Sequence, residues 1–126
     1  MPANSPSQRV VIVGASDKAD RYSNMAQHLL IEHGHEVVPV HPKLAEIDGL
    51  PVVPDLDQVT GAVDTVTMYV GPAISAALKY KLVQLKPGRV IFNPGTENAE
   101  LEKALNEAGI GTEEACTLVL LRTGGF

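Results

Sequence analysis

A short run of apolar, β-branched residues near the start of the sequence restricts the fold most strongly. Residues 10–13 read Val-Val-Ile-Val, and Gly14 ends the run. A strand that is apolar on both faces is typical of a parallel sheet, because helices cover both sides of such a sheet. The run therefore predicts that the first element is a buried strand of an α/β domain.

Strand and helix patterns alternate along the rest of the chain. Apolar residues at helical spacing predict a helix at residues 22–33, with Gly34 as its terminator. A second strand is predicted at residues 36–40, where Pro39 and Pro42 each remove an amide donor and require the strand to end or to leave the sheet. The further predicted elements are a short third strand at 50–53, a turn or short helix at 55–60 opened by Asp55 as a cap, a strand at 65–70, a helix at 73–85, a strand at 89–92, a helix capped by Thr96 or Asn98, and a last strand within 109–121. This alternation favours a single Rossmann-like, doubly wound domain whose mostly parallel sheet has about five strands.

The size and hydropathy of the chain fit one domain without a membrane span. At 126 residues the chain is close to the usual size of a single domain. We expect residues 1–8 to form a flexible tail and residues 9–126 to form the domain. The longest apolar runs have four residues, whereas a spanning helix needs about 18. We therefore expect a cytoplasmic protein that does not insert into a membrane.

Charge and cysteine content exclude several kinds of partner. The net charge is −5, which would repel a nucleic-acid backbone, and few aromatic residues are present to stack on bases. The single cysteine, Cys116, has no partner for an internal disulfide, and no zinc-ligand spacing occurs. We therefore expect a reducing compartment, no bound metal and no nucleic-acid partner.

Ligands of doubly wound domains bind beyond the carboxyl ends of the strands, so the loops at those ends are the candidate site. The loop after the first strand places backbone amides and a helix N-terminus where they favour phosphate, and Gly14 would allow a close approach. Ser16 and Ala19 stand where the dinucleotide fingerprint has its second and third glycines. Lys18 and Arg21 add positive charge to this loop.

A different interpretation of the same loop is a solvated segment without a ligand. In that case the carboxylates of Asp17 and Asp20 would neutralise Lys18 and Arg21.

The end of the second strand argues against NAD. NAD-binding domains carry an acidic residue there for the ribose 2′-hydroxyl, but this chain has His41, Pro42 and Lys43. A cation at this place suits a phosphate on the adenosine ribose, as in NADP or in the 3′-phosphate of coenzyme A. The alternative is that Lys43 is an ordinary surface lysine.

Several short segments together resemble one known family. They are Val13-Gly14-Ala15-Ser16, Arg21 before Tyr22-Ser23, the run Gly-His-Glu-Val-Val-Pro-Val-His-Pro-Lys at residues 34–43, and Gly49 with Val53-Pro54. The pattern is similar to that of the coenzyme A-binding domain family, which includes small stand-alone proteins and resembles the nucleotide-binding domain of succinyl-CoA synthetase. The resemblance covers about residues 9–122 and implies a ligand of coenzyme A or an acyl-CoA.

The resemblance also implies roles for individual residues. Gly14, Ala15 and Ser16 would meet the diphosphate, and Arg21 would reach a phosphate. Lys43 would face the 3′-phosphate. Val40 and Pro42 would border the adenine. The full candidate binding set is Gly14, Ala15, Ser16, Lys18, Arg21, Val40, His41, Pro42, Lys43, Val70, Gly71, Pro72 and Gly95.

This chain departs from the family pattern at three places. His41 stands where the family usually has asparagine. Val70-Gly71 replaces an arginine, and Asn93-Pro94-Gly95 replaces a Gln-x-Gly run.

No complete catalytic set is recognisable. Gly14-Ala15-Ser16 is half of a nucleophile elbow, but Lys18 occupies the place of its second glycine. Cys116 is expected to be an inert buried thiol beside an apolar strand at residues 118–121, with a reactive thiol near the coenzyme's sulfur as the alternative. The histidines at positions 28, 33 and 35 lack a metal-ligand spacing.

The first hypothesis is therefore a protein that binds coenzyme A or an acyl-CoA, with no identifiable catalysis of its own. The alternatives are the nucleotide-binding part of an acyl-CoA ligase-type enzyme and an NADP-binding sensor or reductase. The sequence leaves open whether the chain forms a homo-oligomer or binds another protein.

Overall fold

The computed structural model describes residues 6–126 and contains one five-stranded parallel sheet and one small hairpin. The strands are β1 (Arg9–Val13), β2 (Glu36–Val40), β3 (Glu46–Ile47), β4 (Leu50–Pro51), β5 (Thr65–Met68), β6 (Arg89–Phe92) and β7 (Gly111–Glu114). The main sheet has the strand order β2-β1-β5-β6-β7, and β3 and β4 form the hairpin. The predicted Rossmann-like α/β fold is confirmed.

Strand β1 has partners on both edges and helices over both faces. It pairs in parallel with β2 on one side and with β5 on the other. Val10, Val11 and Ile12 have no exposed surface. This position explains why the first strand is apolar at every residue.

The third strand differs from the prediction. Residues 50 and 51 pair with β3 in the separate hairpin, and Val53 alone forms a parallel bridge with Val40 of β2. The hairpin turn, Asp48-Gly49, has positive φ at both residues, as a tight two-residue turn requires. Counting the bridge as a reduced strand gives the 3-2-1-4-5-6 order of the Rossmann fold.

Within residues 6–126, five α-helices and two short 3-10 helices accompany the strands. The 3-10 helices are Leu56–Gln58 and Ala76–Leu78. Helix α1 ends just before Gly34, whose φ is +85°, as predicted. Asn98 caps α4, because its side chain accepts a hydrogen bond of 3.1 Å from the Leu101 amide. Of the two predicted caps, Thr96 and Asn98, the structure therefore has Asn98. The α-helices are α1 (Tyr22–Glu32), α2 (Pro72–Ser75), α3 (Lys79–Leu85), α4 (Ala99–Glu107) and α5 (Thr117–Thr123).

Three predictions about local structure are wrong. The helix predicted at residues 73–85 is interrupted by the 3-10 segment Ala76–Leu78. The apolar run at residues 118–121 belongs to α5 and is not a strand, because a run of four apolar residues fits either element. Asp55 stands at the predicted cap position, but its side chain makes no bond with capping geometry, and its Oδ2 pairs with Lys81 at 2.7 Å.

The sheet separates two apolar clusters. One contains Val11, Val66 and Phe92 and packs against α3 and α4, and the other contains Ile12 and Leu30 and includes residues of α1 and α5. Because α1 and α5 lie on one face while α3 and α4 lie on the other, the domain is doubly wound, as predicted. No helix within residues 6–126 is long and apolar enough to cross a membrane.

Residues 1–5 of the expected N-terminal tail lie outside the described residues. Gln8, at the end of that segment, is joined to the domain. Its amide donates to His35 Nδ1 at 3.0 Å, and its carbonyl accepts from the Glu36 amide at 2.9 Å.

Candidate functional site

A cavity of about 870 Å³ lies at the carboxyl ends of β1, β2 and β5. This is the switch point of the sheet, where ligands of doubly wound domains bind. Nine of the thirteen candidate residues line it: Gly14, Ala15, Ser16, Lys18, Arg21, Val40, His41, Pro42 and Val70.

The other four candidates lie next to the cavity without lining it. Lys43 is exposed and directly follows the lining residue Pro42. Gly71 and Pro72 form the start of α2. Gly95 has its amide bound to Glu97 Oε1 at 3.0 Å.

Gly14 and Ala15 direct their amides into the protein. Both donate to the carbonyl oxygen of Val40, at 3.3 and 3.2 Å, and these bonds join the end of β1 to the end of β2. In this structure neither amide is free to donate to a diphosphate.

Packing accounts for the glycine at position 14. Its φ is +86°, and a Cβ atom there would lie 2.8 Å from Val70 Cγ1 and 3.1 Å from the carbonyl carbon of Tyr69. The close approach that Gly14 permits is to the chain after β5.

Two other amides of the same loop remain available. Within residues 6–126, the amides of Ser16 and Asp17 donate to no acceptor, and both residues line the cavity. The Ser16 hydroxyl accepts a hydrogen bond of 3.1 Å from the Lys18 amide and keeps its own proton to donate. These groups can bind an anion.

The positive charges of this loop form no salt bridge in the described part of the chain. Lys18 and Arg21 are exposed and line the cavity, as does Asp17. Asp17 and Asp20 form no salt bridge with either cation within the same residues. Both cations are therefore placed where they can contact a bound anion.

A buried side chain that sequence reasoning missed holds the loop in place. Asn24 of α1 is 3% exposed, and its Nδ2 donates to the Ser16 carbonyl and to Asp48 Oδ2, each at 2.9 Å. His28 Nε2 lies 3.0 Å from the same Asp48 oxygen. The bonds from Asn24 and His28 lower the pKa of Asp48. The turn signal Asp48-Gly49 was the one indication of this contact in the sequence.

His41 stabilises the turn that carries Pro42 and Lys43. Its Nδ1 accepts hydrogen bonds from the amides of Lys43 and Leu44, at 3.0 and 3.1 Å. An asparagine oxygen can serve the same purpose in a turn, which accounts for histidine at this position.

The wall of the cavity opposite the β1–α1 loop is mostly apolar. Leu56, Ile74 and Leu78 line it together with Asp55. Ile74 is 59% exposed and contributes apolar surface to the cavity lining.

Tyr69 lies at the end of β5 and also lines the cavity. Burial raises the pKa of Tyr69 to about 12. The hydroxyl groups of Thr67 and Thr117 lie near its oxygen, but none of these contacts has the geometry of a hydrogen bond.

Asn93 fastens the loop after β6. Its Nδ2 donates to Thr67 Oγ1 at 2.7 Å and to the Met68 carbonyl at 2.8 Å. Its Oδ1 accepts from the Thr117 amide at 2.8 Å. The next residues, Pro94 and Thr96, line the cavity, so Asn93 positions them.

Cys116 is separate from this arrangement. It is half-buried, immediately precedes α5 and does not line the cavity. Within residues 6–126, no cluster of histidine, cysteine and carboxylate side chains is arranged to hold a metal ion.

Comparisons with known proteins bear on the family and the fold. The sequence model of the CoA binding domain family matches residues 8–122. A crystal structure of an uncharacterized protein is 42% identical, with a TM-score of 0.92 over 97% of this chain and 100% of that one.

Two further similarities are more limited. YneT of Bacillus subtilis is 35% identical over 63 residues, which is 50% of this chain and 47% of YneT, so the match spans about half of that relative. The dinucleotide-forming acetyl-coenzyme A synthetase 1 of Ca. Korarchaeum cryptofilum, in complex with phosphate and ADP, has a TM-score of 0.75 at 19% identity. That match covers 86% of this chain and 25% of the synthetase, and it bears on the fold alone.

Proposed function

The chain belongs to the CoA binding domain family, and we propose that its strand-end cavity binds coenzyme A or an acyl-CoA. The observation that carries this proposal is the pair of cations, Lys18 and Arg21, that line the cavity without a salt-bridge partner in the described part of the chain. Cations that the protein leaves unpaired beside available amides suit a diphosphate. The volume of about 870 Å³ falls within the range of small-molecule sites.

The proposed ligand runs across the edge of the sheet. Its diphosphate lies against the amides of Ser16 and Asp17, between Lys18 and Arg21. Its adenine lies on Val40 and Pro42 at the end of β2. The exposed Lys43, which directly follows Pro42, meets the ribose 3′-phosphate at the outer rim.

The chain acts as a binding protein in this proposal. Cys116 does not line the cavity, so the coenzyme's thiol meets no cysteine there. The alternative of a nucleotide-binding part of a ligase rests on the fold shared with the acetyl-coenzyme A synthetase.

Binding of coenzyme A and dephospho-coenzyme A by isothermal titration calorimetry tests the proposal. We expect coenzyme A to bind about 10- to 100-fold more tightly, because one charge-assisted contact contributes about 1.5–3 kcal/mol. Lys43→Ala should remove most of that difference. Lys103→Ala, at an exposed lysine of α4 outside the cavity lining, should preserve it.

The other ligand hypotheses are tested by the same measurement. If NADP bound more tightly than coenzyme A, the protein would be an NADP-binding one. Equal affinities for coenzyme A and its dephospho form would remove the role of Lys43, and no measurable binding of either would contradict the proposed function.

A further inference from the structure

One acidic residue belongs to the otherwise apolar wall of the cavity. Asp55 lines the cavity beside Leu56, Ile74 and Leu78. Lys81 Nζ lies 2.7 Å from Asp55 Oδ2, and the amides of Leu56 and Asp57 lie near the same carboxylate. A carboxylate can accept about four hydrogen bonds, so Asp55 has capacity left for a ligand.

Backbone bonds place Asp55 beside the end of β2. The Val53 amide donates to the Pro39 carbonyl at 3.0 Å, and the His41 amide donates to the Val53 carbonyl at 3.1 Å. These bonds hold residues 53–55 alongside the residues that follow β2. Under the proposed function, the adenine lies against this part of the wall.

Asp55 is an acceptor without a proton to donate. The hydrogen bond from Lys81 lowers the pKa of Asp55, so the carboxylate is ionised at neutral pH. An ionised carboxylate only accepts hydrogen bonds. At position 6 adenine presents an amino donor, whereas hypoxanthine and guanine present an oxo acceptor that an ionised carboxylate at that position repels. A 6-oxopurine would have to shift in the cavity to present its N1–H donor to the carboxylate instead.

We propose that Asp55 selects adenine nucleotides over 6-oxopurine nucleotides by accepting a hydrogen bond from the 6-amino group. The inference rests on the proposed function, since it requires the base to lie in this cavity.

A comparison of ADP with IDP tests this assignment, because the two nucleotides differ at position 6 of the base. We expect the protein to bind ADP about 10- to 100-fold more tightly than IDP in calorimetry. Asp55→Asn should reduce the ratio to roughly threefold or less, because a carboxamide can also donate to a 6-oxo group. Asp57→Asn is the matched control: Asp57 is exposed, lies two residues away and is outside the lining of this cavity, so its variant should keep the full preference.

The outcomes separate this inference from the proposed function. Equal affinities for ADP and IDP, or an unchanged ratio in a folded Asp55→Asn variant, would overturn the role of Asp55 while coenzyme A binding would still support the proposed function. If coenzyme A and ADP both failed to bind, the proposed function and the inference would fall together. The pair of Asp55 with Lys81 is partly exposed, so we expect the variant to fold, and thermal denaturation verifies this.

Discussion

At Gly14 the chain turns with positive φ directly beside the connection from β5 to α2. We predict that Gly14→Ala destabilises the protein more than Gly34→Ala does. Both glycines have φ near +85°, so each substitution costs about 1–2 kcal/mol of backbone strain. A Cβ atom at Gly34 meets nothing within 4 Å, whereas at Gly14 it meets Val70 and Tyr69, which adds about 1–3 kcal/mol of overpacking.

Urea unfolding of both variants measures the difference. Gly34→Ala serves as the control for conformational strain alone. Equal losses of stability would mean that the contact with Val70 and Tyr69 does not determine the residue at position 14.

Helix α1, the loop before it and the β3–β4 hairpin meet at Asn24. We predict that Asn24→Ala lowers the free energy of unfolding by about 1–3 kcal/mol, because the Ser16 carbonyl and the Asp48 carboxylate both lose a donor. The loop that carries Lys18 should become less ordered, and coenzyme A should bind more weakly.

His28→Ala is the matched control for that variant. It removes a second bond to the same Asp48 oxygen, but His28 is exposed, so we expect a loss below about 1 kcal/mol. Unfolding in urea and calorimetry with coenzyme A check both variants. If Asn24→Ala and His28→Ala behaved alike, the attachment of Ser16 to α1 would have no energetic role.

Elements with a strong local pattern could be predicted, and elements set by tertiary contacts could not. The apolar run of β1 and the terminator Gly34 depend on residues that are neighbours in sequence. The interruption at Ala76–Leu78 contains neither glycine nor proline, so its sequence reads as a continuous helix. The four apolar residues of α5 fit a strand equally well, and the packing of α5 against α1 decides between the two.

At the scale of the whole molecule, some residues of the cavity could also be predicted from the sequence and others could not. Parallel strands bring their carboxyl ends to one edge, so the loops after β1, β2 and β5 could be assigned to the cavity from strand order alone. Asp55, Leu56 and Ile74 were not predicted there, because they reach the cavity through the Val40–Val53 bridge and the division of α2 from α3. The sequence predicts a third strand at residues 50–53 but not that Val53 alone joins the sheet, and no glycine or proline marks the division of α2 from α3.

Residues at the amino ends of the strands, opposite the cavity, form contacts that stabilise the domain. The Phe126 carbonyl accepts a hydrogen bond of 3.0 Å from Arg89 Nη2. The centroid of the Phe126 ring lies 5.1 Å from the centroid of the His35 ring. His35 is 8% exposed and accepts the amide of Gln8 at Nδ1. The cavity and this part of the core therefore lie at opposite ends of the strands.

Burial of His35 should make the stability of the whole domain fall in mild acid. Burial first, and then the charges of His33 and Arg89, lower the pKa of His35 from its ordinary value of 6.5. At a pH below 6.5, His35 binds a proton more readily in the unfolded chain than in the folded chain. The free energy of unfolding must therefore decrease as the pH falls through 6.5 and towards the pKa of the folded state. Protonation at Nδ1 would also cost the bond from Gln8.

Urea unfolding at pH 7.5 and 5.5 measures this dependence. The carboxyls of Asp48 and Asp55 titrate only at more acidic pH, because their pKa values are lowered. We expect His35→Gln to lose most of the difference between the two pH values, because the amide oxygen can still accept from Gln8 but does not titrate. His33→Gln, at the exposed neighbour, should keep most of it, since burial is the largest cause of the lowered pKa. An unchanged pH dependence in His35→Gln would locate the acid-sensitive group elsewhere in the domain.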